Sequence, residues 1–322
     1  MINTHFFSVS FLCLPLLAQD VSGKVIGAFV VPHGGLALDP FYANITNATA
    51  KDLADQIHQS LIRVSREIGA LSPDIIFLST PHGISDLENF VFYLNKKARG
   101  LALAEDCTNI TQCAYRLNVT VAVKESLQLV SHLKRSHNVS GISGFGPPGE
   151  TPQAEPLPLG WGEVIPLYFV PNISSTKLMI FSHPSRRYNS TKSMMAELLH
   201  LGRSLYLRLQ HSPERVAIVI SSDLAHTHSK DGPYGYSDAA QPFDDAIGRY
   251  LTSLDPKELL ETAGDLVEKA LSCGFTGLVM LHAMLSEAGL KNWSSKLWIN
   301  GHPTYYGMAT ATIVRMGTEA MG

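Results

Sequence analysis

The stretch Val219 to His228 reads V-I-S-S-D-L-A-H-T-H. With Val216, Ala217 and Ile218 ahead of it, the apolar run continues to Ile220. Ser221, Ser222 and Asp223 then break it. A short, uninterrupted apolar run closed by turn-forming residues is how a strand buried on both faces reads. Open α/β sheets place their ligands just outside the carboxyl ends of such strands. The loop that follows this one carries a carboxylate, Asp223, and two imidazoles, His226 and His228.

Other strand-like runs end in the same way. Residues 24–31 (K-V-I-G-A-F-V-V) run into Pro32-His33-Gly34-Gly35, and residues 73–80 into Pro81-His82-Gly83. Residues 177–182 run into His183-Pro184, and Gly301-His302-Pro303 separates two closing strands at 295–299 and 305–314. Glycine lets the backbone turn sharply and approach a ligand. Neutral imidazole is the commonest metal ligand and the usual general base near neutral pH. Two histidines and a carboxylate with open positions suit ferrous iron, and zinc hydrolases use similar sets. Spacing leaves these options open, and capping a turn is the plainer role for each loop histidine.

Between the strands, apolar residues recur at helical spacing over 50–69, 125–137, 191–210, 244–254, 256–273 (broken near Gly264) and 275–288. Residues 89–94, 118–123 and 163–170 read as further strands. Residues 96–117 read as an excursion, and the Gly- and Pro-rich segment 141–162 as an active-site loop or lid. Helices alternating with strands predict a single α/β domain over 24–322, its mostly parallel or mixed sheet flanked by helices.

Composition narrows the partners. The chain has 322 residues, 45% hydrophobic and 16% charged, with a formal net charge of −3. That balance, without long charge runs, gives nucleic acid nothing to bind. Residues 6–18 form an apolar run too short for a transmembrane helix; 1–20 is expected to be a signal peptide. Eight asparagines stand in N-x-S/T sequons: Asn44, Asn47, Asn109, Asn118, Asn138, Asn172, Asn189 and Asn292. Chance would place about two. A secreted or secretory-lumen glycoprotein is therefore expected. In such an oxidising compartment Cys107 and Cys113 are expected to pair, which leaves Cys273 as a free thiol once Cys13 departs with the signal.

From Lys24 to Arg315 the order of motifs resembles the class III extradiol ring-cleavage dioxygenases (LigB-type catalytic subunits) and their Memo-like relatives. The resemblance rests on P-H-G-G at 32–35, P-H-G at 81–83, I-P-L at 165–167, S-S-D-L-A-H at 221–226, C-G at 273–274 and Y-Y-G-M-A at 305–309. It implies that His33 and His82 bind the metal, with Cys273 beside it. It also implies that His226 transfers the proton, oriented by Asp223. The implied reaction opens the ring of a small catechol-like aromatic with O₂, using Fe(II), with copper or zinc as the other metals. Two positions depart from the pattern. Ser272 stands where relatives often carry Glu before the Cys, which makes the Cys273 thiolate, or more distantly Glu268, the third ligand. Trp161-Gly162 stands where many relatives carry a histidine, so an aromatic wall is expected there, with His183 and His302 as further pocket residues. A Memo-like metal-binding or redox protein without ring cleavage and a zinc hydrolase are the alternative readings.

Overall fold

The computed structural model describes residues 24–144 and 155–316. The expected signal peptide at 1–20 and the 145–154 part of the Gly- and Pro-rich segment lie outside the described residues. Among the described residues there are eleven strands: β1 Val25–Val31, β2 Ile75–Thr80, β3 Phe90–Tyr93, β4 Lys97–Leu103, β5 Ala114–Val121, β6 Val139–Ile142, β7 Leu157–Leu159, β8 Lys177–Ser182, β9 Val216–Ser221, β10 Trp293–Gly301 and β11 Met308–Arg315. They form one mixed sheet in the order β10-β11-β1-β9-β2-β8-β5-β4-β7, and β3 joins β8 to β6 beside it. Strands β1, β9, β2 and β8 are parallel and fill the centre. The outer pairs β10–β11, β11–β1 and β4–β5 are antiparallel.

Both faces of the central strands are covered, which is why they are apolar throughout rather than alternating. On β9, Val216, Ile218 and Ile220 pack in one layer with helices Met195–Gln210, Ala240–Ser253 and Phe275–Glu287. Ala217 and Val219 point the other way, into a layer with helices Ala48–Ala70 and Trp161–Tyr168. Helix Ala48–Ala70 buries Ala54, Ile57, Leu61, Val64 and Ile68 at three- and four-residue spacing, and Asn47 caps it by accepting from Ala50 N–H. This helix carries the chain from β1 over β9 to β2. All three strands therefore end at one edge, with their following loops side by side.

Several sequence expectations change. Residues 163–170 are not a strand but most of helix Trp161–Tyr168, buried from Gly162 to Leu167. An apolar run alone does not separate a buried strand from a buried helix. Pro166 would remove a ladder donor from a central strand, whereas in a short helix it leaves only one carbonyl without its donor. The excursion at 96–117 is a hairpin, β4 and β5, with Cys107 and Cys113 disulfide-bonded in its connection. The 256–273 helix is a π-helical stretch, Glu258–Ala263, continued by Gly264–Ala270, and it stops short of Cys273. The helix expected from 191 starts at Met195, after two single turns.

Candidate metal centre

Two of the central strands each hand their loop one donor. β1 ends at Val31 and presents His33; β2 ends at Thr80 and presents His82. Cys273 sits in the turn before helix Phe275–Glu287. The three side chains come together so that a ligand atom from each lies within 4.8 Å of the other two. The imidazoles of His33 and His82 meet edge to face at 4.7 Å, and Cys273 Sγ lies 3.2 Å from His33 Nε2. Close backbone approaches make this possible. A Cβ on Gly274 would stand 1.8 Å from Ser222 Oγ and 2.7 Å from the Asp223 carbonyl, so only glycine lets the cysteine turn reach the β9 loop.

A short chain of hydrogen bonds sets the proton on His33. Pro166 has no N–H, so the Gly162 carbonyl, four residues earlier, has no helical donor. Ser221 Oγ donates to it at 2.7 Å. A hydroxyl has one proton, so Ser221 Oγ, 2.8 Å from His33 Nδ1, accepts there. Nδ1 therefore carries the hydrogen and Nε2 the lone pair, the tautomer a metal ligand needs. That bare Nε2 faces Cys273 Sγ and, at 3.4 Å, Asp223 Oδ2. Asp223 also accepts from His33 N–H through Oδ1, at 3.0 Å.

Burial dominates the electrostatics. It holds His33 well below the ordinary imidazole range, helped by the neighbouring His82, His226 and Arg187, and it lowers His82 to about 3. Both imidazoles are neutral and able to bind a metal at ordinary pH. Burial pushes Asp223 up to about 7 and the Cys273 thiol up to about 12. A thiol and a carboxyl crowded onto a bare imidazole nitrogen, each disfavoured as an anion, form a donor set that a cation would stabilise. The residues therefore fit a metal, held by His33, His82 and Cys273.

In front of these donors lies a cavity of about 580 Å³, the size of a small-molecule site. His226, Trp161, Tyr234, Tyr305, Tyr306 and Glu105 line it together with His33, His82 and Asp223. His226 stacks on Tyr306 at 5.9 Å, and Trp161 packs over His82 at 5.3 Å. His226 Nδ1 meets the Leu224 carbonyl at 3.0 Å, and the Leu271 backbone also hydrogen-bonds the ring. Burial lowers its pKa to about 4.

Not every expected residue arrives. Asp223 is bonded to His33 rather than to His226, so it orients a metal donor and not the base. His183 is fully buried behind the site, its Nε2 against Ser79 Oγ at 2.8 Å, and does not line the cavity. His302 is also outside it: it stacks on His228 at 3.7 Å and meets Gln241. His228 is spent on Asp244 Oδ2 at 2.7 Å. Glu268 is exposed and accepts from Lys192 N–H, which removes it as a third ligand. Ser272 donates to the Asp223 carbonyl.

Sequence reasoning missed Ser221, Glu105, Tyr234 and Arg187, and it did not single out Tyr305 or Tyr306. Ser221 and the two tyrosines lie within quoted motifs and needed only their packing to be read. Arg187 donates to the Pro81 carbonyl and steadies the His82 loop. Glu105 sits in the segment read as an excursion, where nothing marks it.

The comparisons bear on the family and the fold. The family model described as the catalytic LigB subunit of aromatic ring-opening dioxygenase matches residues 27–311. A curated protein of Clostridium acetobutylicum is 22% identical over 271 residues, which cover 82% of this chain and 53% of that protein. The chain thus spans about half of that relative's length. The crystal structure of an uncharacterized protein from Escherichia coli K12 is similar at a TM-score of 0.51 and 15% identity, covering 89% of this chain and 99% of that one, which shows a shared fold. The chain belongs to the family of the catalytic LigB subunit of aromatic ring-opening dioxygenases.

Proposed function

We propose that this protein is a metal-dependent dioxygenase that opens the ring of a small catechol-like aromatic. The observation that carries the reading is the bare Nε2 of His33, held beside His82 and Cys273, with both histidines lining an aromatic-walled cavity that also contains the neutral imidazole of His226. His33, His82 and Cys273 would hold the metal; Fe(II) is the first choice. When bound, such a metal supplies the redox chemistry toward O₂ that side chains lack. The rest falls to the chain. Tyr305, Tyr306 and Trp161 form aromatic walls between which an aromatic ring can be held. His226, held neutral by burial, accepts a phenolic proton and returns it. Asp223 keeps His33 in place through its backbone N–H.

Anaerobic loading with Fe(II), followed by oxygen uptake with a panel of catechols, tests this. A yellow ring-opened product with uptake in step is expected, together with loss of both in His226→Ala. No turnover across the panel, with the metal retained, would refute it.

One observation favours a second reading, a Memo-like metal-binding or redox protein without ring cleavage. The third donor is a thiol, and thiolate selects softer metals such as copper. Copper bound in preference to iron, lost in Cys273→Ala, and no oxygenase activity would establish it. A zinc hydrolase, the remaining alternative, requires zinc in the purified protein.

The secretory route is part of the same proposal. All eight sequon asparagines are exposed, whereas Asn89, Asn95 and Asn300, the described asparagines outside sequons, are half-buried or buried. Asn47 and Asn109 cap helices through their oxygens, which glycosylation at the nitrogen leaves free. Among the described residues no helix is long and apolar enough to cross a membrane. Glycosidase-sensitive mass on the protein recovered from a eukaryotic medium is the expected result.

A further inference from the structure

The cavity's charges are one-sided. Its lining carries Glu105, Asp106 and Asp223, and no Lys or Arg. All 25 lysines and arginines of the chain lie within the described residues, so this absence covers every cationic side chain the protein has. Arg187, whose charge acts on His33, His82 and His226, is buried behind the His82 loop, with its guanidinium on the Pro81 carbonyl and over the Tyr188 ring. It is not presented to the cavity.

Asp223 belongs to His33, and Asp106 is exposed and accepts from Asn44 N–H. Glu105 is different. Its carboxylate accepts from Tyr306 O–H at 3.0 Å and packs against Gly35, two residues from the His33 donor. A Cβ on Gly35 would stand 2.8 Å from Glu105 Oε2. Glu105 thus has neutral donors only, while a carboxylate accepts at about four positions. Burial raises its pKa, which a neighbouring cation would reverse. Tyr305 and the half-exposed Tyr234 and Trp161 flank the same cavity, and aromatic faces attract cations.

We propose that the cavity selects a catechol carrying a short protonated aminoalkyl arm, with Glu105 as the residue that pairs with the ammonium. This rests on the ring-cleavage reading for the catechol part only; the ammonium part follows from the lining. A carboxyalkyl arm would meet Glu105 and Asp106 with no cationic side chain in the lining to offset them.

The test compares three matched substrates on the Fe(II)-loaded full chain: 4-(2-aminoethyl)catechol, 4-ethylcatechol and 3-(3,4-dihydroxyphenyl)propanoate. Calorimetric binding of the non-oxidisable pair 2-phenylethylamine and 3-phenylpropanoate runs alongside. The amine is expected to exceed the neutral substrate in kcat/KM by about tenfold, and the acid to fall below it by a similar factor. Glu105→Gln should collapse the amine-to-neutral ratio, and Glu105→Lys should turn the preference toward the acid. Turnover of 4-ethylcatechol with no amine preference, or with preference for the acid, overturns the proposal and leaves the ring-cleavage reading standing. No turnover of any catechol, with phenylethylamine still bound at least tenfold more tightly than phenylpropanoate, refutes ring cleavage and supports the ammonium site.

Discussion

Replacing Ser221 by Ala removes the hydroxyl that connects the Gly162 carbonyl to His33 Nδ1. The consequence follows from where the His33 proton then goes. Nδ1 loses its acceptor. Nε2–H would find two, Cys273 Sγ at 3.2 Å and Asp223 Oδ2 at 3.4 Å. The proton moves to the nitrogen that must bind the metal. One hydrogen bond of this kind is worth about 1–2 kcal/mol, so metal affinity falls about tenfold. Loss of a partner behind a metal-binding histidine typically costs about 10–100-fold. Anaerobic titration with Co(II), followed by the thiolate-to-metal absorption and by competition with a chelator, reads the affinity. Chemical denaturation of the chelated protein separates any loss of stability, about 1–3 kcal/mol for the stranded Gly162 carbonyl. Ser222→Ala is the matched control: that hydroxyl is buried one residue away without a partner, and its removal should leave Co(II) binding intact. Pro166→Ala should act like the Ser221 change but more weakly, because it offers Gly162 a competing helical N–H. A folded Ser221→Ala protein with Co(II) affinity within twofold of the parent would refute the proton assignment.

Acidification should destabilise the metal-free protein. Burial lowers His33 far below its ordinary value, His82 and His183 to about 3 and His226 to about 4, so between about pH 6.5 and 4.5 the unfolded chain takes up four protons that the folded one refuses. Asp223 and Glu163, raised by burial to about 7, bind two in the folded state over the same range, which opposes this. The unfolded state gains the excess, so stability falls with pH by up to roughly 3 kcal/mol per unit. The urea midpoint at pH 5 should lie below that at pH 7, and an equal or higher midpoint would contradict the burial of these groups. Gly274→Ala should force apart the cysteine turn and the β9 loop, given the 1.8 Å approach to Ser222 Oγ, costing about 1–3 kcal/mol and weakening Co(II) binding. A variant equal to the parent in both would show that the turn can move. Cys107→Ser with Cys113→Ser should cost about 2 kcal/mol, the effect expected for so short a disulfide loop, read by thermal unfolding; an unchanged midpoint would place the loop's order in the β4–β5 hairpin instead.

Much of this protein was legible along the chain because its central strands announce themselves. Apolar runs ending in Pro-His-Gly, Pro-His-Gly-Gly or Ser-Ser-Asp mark buried parallel strands and their loops, and the structure puts His33, His82, Asp223 and His226 where those runs predict. A one-dimensional pattern cannot reveal what a loop histidine faces. His183 and His302 follow the same pattern and turn to Ser79 and to His228, away from the cavity. It also could not separate helix from strand at 163–170, because full burial erases periodicity. The sequence by itself determined the fold class, because apolar period is a local property, and through its family resemblance it named the candidate donors. Tertiary structure alone decided the rest. It brought Cys273 to a histidine 240 residues away. It also joined Pro166, Gly162, Ser221 and His33 into one chain of hydrogen bonds, which only packed neighbours can form.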